Sequence, residues 1–264
     1  MALRNGLLIH GPTSWAAAAR APDGSIEVAS GPKPTLARGA LGSVPLLRGP
    51  LRLAEAFAVV PLARRRLPAA RLPIEDSRVV GIGFATAALS AAIRRLGPTN
   101  VAREALIATL GVLPAATALR DHELAAYHGV EHKAIGAYEL GSLDPADAPK
   151  EHERCGSNLV LPLLVLSVAG QLTVERLARD PSPAARGLAG LASVSVAVEL
   201  FAYAERSPDS VIGRMVHAAG HEIQRLLSTR EPTAEQLEVG SAALREILRT
   251  EGQDGAMPAK PQQR

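Results

Sequence analysis

The chain has 264 residues, 47% of them apolar but only 3% aromatic, and a mean hydropathy of +0.10; it is too apolar for an average soluble domain and too polar to lie wholly in lipid. Its formal net charge of +3, from 29 basic and 26 acidic residues, includes no basic block interleaved with aromatics, so a nucleic-acid groove is excluded as a reading and no nucleic-acid partner is expected. The single cysteine excludes an internal disulfide and suits a thiolate ligand or a reduced compartment, with an inert buried thiol as the alternative.

The opening residues, Met1-Ala2-Leu3-Arg4-Asn5-Gly6, lack a signal-peptide core, so export is not expected. Residues 1–44 are read as an N-terminal β-meander. Leu7, Leu8 and Ile9 are strand-like, Gly11-Pro12 turns, and Asp23-Gly24 turns into Ser25-Ile26-Glu27-Val28. Residues 14–20 form a further strand, although four successive alanines, 16–19, leave a helix open. Residues 45–77 form an amphipathic interfacial segment. Leu46, Leu47, Leu51, Leu53, Phe57, Val60 and Leu62 oppose Arg48, Arg52, Glu55 and Arg64-Arg65-Arg66, as in a helix at a membrane surface or an ordinary surface helix.

Residues 78–204 carry four apolar runs. Residues 79–93 and 105–119 are about fifteen long, 156–174 about nineteen, and 187–204 about eighteen with Glu199 interrupting, against about twenty for a span. The expected fold class is therefore mainly α, a multi-span helical membrane protein with about four spans and a small N-terminal β element. The two shorter runs span if Arg78, Arg94, Arg95 and Arg103 snorkel to the interfaces; otherwise they are core helices of a soluble bundle. Four spans place the N-terminal region, a loop at 120–155 and the C-terminal region on one side. Arg64, Arg65, Arg66, Arg71 and Arg78 assign that side to the cytoplasm.

Residues 205–250 are expected to be cytoplasmic helices. Helix-forming content runs over 211–227, Pro232 breaks it, and Thr233-Ala234-Glu235-Gln236 is a capping box opening a helix with Leu237, Leu244, Ile247 and Leu248 on its apolar face. The tail, 251–264, has little to bury and is expected to be disordered. No glycine-rich phosphate loop is present, and no Ser/His/Asp triad can be assembled.

The chemistry concentrates in Tyr127-His128-Gly129-Val130-Glu131-His132-Lys133, followed by His152-Glu153-Arg154-Cys155-Gly156. Histidines four apart share one helix face and can share one ion. In the His-x-x-Glu-His order the glutamate serves as general base in metal-assisted hydrolysis, which makes Glu131 the candidate catalytic residue. Two histidines leave a tetrahedral ion incomplete, and His152 with Cys155 are expected to complete it. Four protein ligands would close the site as a structural one; three would leave a position for catalysis.

Three residues are candidates for support. Glu139 returns to the same helix face as His128 and can orient a ligand or serve as one, or be an exposed helix-end carboxylate. Arg154 can neutralise a substrate anion or face lipid headgroups. Glu199, at membrane depth, is a candidate ligand, proton carrier or arginine partner. His217 and His221, with Glu222, repeat the four-residue spacing and offer a weaker second ion site.

These residues resemble the YqhQ-like bacterial membrane protein family, a domain-of-unknown-function family labelled as a predicted metal-dependent enzyme. The likeness is carried by Tyr127 to Lys133 with Glu139, by His152, Arg154, Cys155 and Gly156 leading through Ser157-Asn158 into an apolar span, and by Thr229-Arg230-Glu231-Pro232 with Gln236 and Ala243-Leu244. Gly11-Pro12 with Trp15-Ala16, Arg48-Gly49 with Glu55-Ala56, Glu199, Gly220 and Gln224 are similar too. The resemblance implies a multi-span protein of the bacterial inner membrane with a metal site. The chain departs from the family at Leu7-Leu8-Ile9-His10 and at His221-Glu222-Ile223, where bulky apolar residues are usual.

The leading expectation is a metal-dependent enzyme, a hydrolase, with a divalent ion such as zinc on His128, His132 and one or both of His152 and Cys155. The expected partners are the lipid bilayer and an unidentified substrate or protein. The alternatives are a non-enzymatic membrane scaffold with a structural ion, and a carrier of a metal ion or proton through Glu199.

Overall fold

The computed structural model describes residues 1–36, 42, 44–97, 99–178 and 181–253. Strands β1 (Ala2–Leu3), β2 (Gly6–His10), β3 (Ser14–Arg20) and β4 (Ile26–Pro32) form an antiparallel meander in the order β1-β2-β3-β4. The alanine run is strand, not helix. Ala16 pairs with Ile9, and Ala18 with Leu7 on one side and Val28 on the other. Gly24, at φ +87, makes the turn into β4.

Both faces of this sheet are covered, which explains why β3 reads as continuously apolar rather than alternating. Leu7, Ile9, Ala16 and Ala18 pack against Tyr127, Val130, Val239, Ala243 and Ile247, which belong to α4 (His122–Glu139) and α8 (Ala234–Thr250). Leu8, Trp15, Ala17 and Ala19 face the other way, onto Val59, Ala63 and Leu67. Val59 and Ala63 lie in α1 (Arg48–Arg66), which leaves Leu53 and Phe57 exposed. Small side chains on the central strand let helices approach from both sides.

Helices α2 (Ser77–Arg94), α3 (Val101–Ala118), α5 (Val160–Leu177) and α6 (Pro183–Arg206) form two hairpins beside this layered head. Three segments, Val101–Ala118, Gly156–Leu177 and Pro183–Arg206, are long and apolar enough to cross a membrane. Only 22% of an 18-residue window in each is buried within the chain, and Leu106, Val165, Leu188 and Leu191 point outward. Such an inverted apolar surface is suited to lipid and points to membrane association. Among the described residues these three are the candidates, and the expectation of about four spans is not confirmed. The run at 79–93 does form α2, but Ser77, Thr86, Ser90 and the arginines at both ends lower its apolar content.

After α6 the chain returns to the head through α7 (Val211–Ile223) and a π-helical turn, Gln224–Ser228. Thr233 and Gln236 then form the capping box that opens α8. The first residues of the tail are anchored: Thr13 and Ser14 donate to Glu251, and the Tyr138 hydroxyl donates to Gln253 at 2.9 Å. The rest of the expected disordered tail, from residue 254, lies outside the described residues.

Candidate metal centre

The centre forms where α4 meets two returning segments. Asp121 caps α4 by accepting from the Glu123 amide, and one helix turn of separation brings the His128 and His132 rings to 4.4 Å between centroids. Opposite them, the segment after the π turn lies flat on α4, with the Arg230 amide donating to Ala125 at 3.0 Å. Gly129 permits this approach, since a Cβ there would run into the Arg230 carbonyl. On the other side, buried Lys133 donates to the Ala148 carbonyl at 2.7 Å and pairs with Glu231 at 3.0 Å, tying both segments to the helix.

Two backbone carbonyls orient the imidazoles. His128 Nδ1 lies 2.8 Å from the Ser228 oxygen, and His132 Nδ1 lies 2.6 Å from the Lys150 oxygen. A carbonyl only accepts, so each Nδ1 carries the proton and each Nε2 is the nitrogen left to bind. Cys155, at the N-cap of the 3₁₀ turn Gly156–Leu159, brings its Sγ to 3.5 Å from His128 Nε2. One ligand atom from each of His128, His132 and Cys155 falls within 4.8 Å of the others, so the cluster could hold a metal ion.

The electrostatics suit that donor set. Burial by itself would push the Cys155 thiol up, but hydrogen bonds and charge from His128 and His132 outweigh it and bring the value down to about 5. Burial opposes the charged form of His128 as well, yet the Cys155 contact and the Glu131 charge raise it above the ordinary 6.5. The sulfur is therefore a thiolate at neutral pH, the form that binds a metal.

Residues 114–250, just over half of the chain, match the family described as protein of unknown function, DUF1385. The chain belongs to this family. The matched stretch holds all three clustered residues and agrees with the YqhQ-like resemblance. No curated protein and no solved structure matches the chain.

The other expected site residues lie around the cluster rather than in it. His152 stacks beside His132, with centroids 5.9 Å apart, but its Nε2 faces Glu139 at 3.1 Å and its Nδ1 accepts from the Arg154 amide at 3.2 Å. Glu139 also pairs with the Arg154 side chain, and the contacts with His152 and Arg154 hold its carboxyl low against the effect of burial. Glu131 is turned toward the sheet, where the Met1 amino group pairs with it. Burial would raise its carboxyl, but that amino group and the two histidines hold it below the usual range.

Glu199 sits elsewhere, pairing with Arg48 at the start of α1. His217 lies 3.6 Å from Glu205, and neither it nor His221 joins a three-ligand group among the described residues. Sequence reasoning missed the Ser228 and Lys150 carbonyls because a backbone acceptor has no side-chain signature. Gln224, whose Oε1 accepts from the His152 amide at 2.7 Å, stood out only as one of the family-like positions.

Proposed function

We propose that the chain is an integral membrane enzyme that holds a divalent ion, zinc by donor chemistry, on His128 Nε2, His132 Nε2 and Cys155 Sγ, and uses it for hydrolysis at the cytoplasmic face of the bacterial inner membrane. The observation that carries this reading is the commitment of both Nδ1 atoms to backbone carbonyls, the support that ligating histidines receive in metal sites. Two imidazoles and a thiolate are a zinc-type set, and three protein ligands leave one position for water or substrate. A bound ion would supply Lewis acidity to a substrate carbonyl or phosphoryl oxygen.

Glu131 is the proposed base. It precedes His132 on α4 and stays ionised, and the role requires its carboxylate to swing from the Met1 amino group toward the cluster. Glu139 fixes the His152 ring, with Arg154 bracing Glu139 in turn. The cytoplasmic orientation rests on Arg64, Arg65, Arg66 and Arg71, which precede α2 on the head side of the spans.

Burial favours a second reading. Cys155 and His132 are 6% and 4% exposed, and an ion there would pin α4 to the segment entering α5, as a structural site in a scaffold would. The carrier reading depends on Glu199, whose carboxylate already has Arg48 as its partner; ion uptake unchanged in Glu199→Gln would remove it.

Metal content by mass spectrometry, with turnover on a panel of esters, peptides and phosphoesters, separates the first two in wild type and Glu131→Gln. The enzyme retains its metal in both and loses turnover only in the variant. A scaffold keeps its metal, turns nothing over and loses thermal stability on chelation. Wild-type protein free of metal would sink both readings.

A further inference from the structure

A cavity of about 470 Å³ lies between α3, α5 and α6, lined by Ile107, Val112, Val160, Leu163 and Leu164 among others. Gly111 of α3 and Gly190 of α6 line it too, and a Cβ on either would meet no heavy atom within 4 Å. Two helices thus omit side chains where the groove runs, although filling it would improve their packing.

One end of the groove is charged. Glu104, 2% exposed, pairs with Arg94 at 3.0 Å, and Arg103 Nε lies 3.7 Å from its other oxygen. Among the described residues, two guanidiniums face this one carboxylate, an excess of positive charge. Nearby in the lining, Gln171 is 9% exposed and gives its Nε2 to the Arg186 carbonyl at 3.1 Å, while its Oε1 has no partner among the described residues. Arg94 closes α2 and Glu104 opens α3, so this end is remote from the metal centre, which adjoins the start of α5.

An ion cluster with excess positive charge at the end of a span calls for an anion, as basic pockets between membrane helices do for lipid headgroups. Here it heads an apolar groove, which together fit an anionic head and an apolar tail; the unpaired Gln171 oxygen calls for a hydroxyl donor. We propose that the groove binds one anionic phospholipid of the phosphatidylglycerol type, its phosphate at Arg94, a headgroup hydroxyl at Gln171 and one acyl chain along Gly111 and Gly190. A zwitterionic phospholipid brings its own cation and leaves the excess charge unanswered.

Native mass spectrometry of the full chain in detergent, with added phosphatidylglycerol or phosphatidylcholine, tests it. Wild type should retain one phosphatidylglycerol at about tenfold lower concentration than phosphatidylcholine, and Arg94→Gln should erase that preference. Removing Arg94 strands a buried carboxylate, so Gly111→Leu, which projects into open space, is the deciding variant. It should lose retained lipid of both kinds while keeping the metal content of the wild type. Equal retention of the two lipids by wild type, or wild-type retention by Gly111→Leu, would overturn the proposal.

Discussion

His128 Nδ1 lies 2.8 Å from the carbonyl oxygen of Ser228, 100 residues further along the chain. That carbonyl ends the π-helical turn Gln224–Ser228, and a carbonyl at a helix C-terminus has no donor within its own helix. Deleting Leu226, which is 70% exposed, should convert the turn to an ordinary helical one and withdraw the carbonyl. Metal affinity should drop about 10- to 100-fold, as measured by competition with a chelator, with helix content unchanged by circular dichroism. Unaltered affinity would mean that the turn does not orient His128.

The ligand set makes a second prediction. His128→Ala, His132→Ala and Cys155→Ser should each lose the ion on dialysis. His152→Ala should keep its stoichiometry and bind about tenfold more weakly, because that ring packs beside the cluster with its nitrogens committed to Glu139 and Arg154. Loss of the ion in His152→Ala, with retention in Cys155→Ser, would transfer the third ligand to His152.

Proton competition follows from the same geometry. Binding requires unprotonated Nε2 atoms and a thiolate, so acidification must weaken it. The raised His128 value makes affinity fall first as the pH drops through a point above 6.5, and protonation of Cys155 makes it fall again near about 5. Metal titrations of the wild type across this range should show both phases. An affinity independent of pH would mean that these groups are not the ligands.

The head should unfold as packed layers. Leu8, fully buried against α1, should cost about 2–5 kcal/mol when replaced by alanine, whereas Leu140→Ala, at a position 59% exposed, should stay within about 0.5 kcal/mol. Denaturant midpoints in a fixed detergent would check the pair. Equal midpoints would mean that the sheet and α1 do not share a core.

Much of the fold was legible locally. The turn at Asp23-Gly24, the capping box at Thr233 and Gln236, and the apolar lengths of α3, α5 and α6 depend on residues a few positions apart, where backbone geometry and hydropathy act directly. The alanine run was ambiguous because alanine suits a helix as well as a strand. Pairing with β2 and β4 settled it, and those partners are tertiary from the standpoint of β3.

By itself the sequence determined that His128 and His132 share one face of α4 and that a cysteine follows within a short loop, since helical spacing alone requires the first and chain length permits the second. Only the tertiary structure decided which donors converge: Cys155 joins the imidazoles, His152 turns to Glu139, and Glu131 faces the sheet. It also decided which imidazole nitrogens are free to bind, because that choice belongs to the carbonyls of Ser228 and Lys150. Those oxygens come from segments that meet α4 only after packing against it, and every residue type carries the same carbonyl.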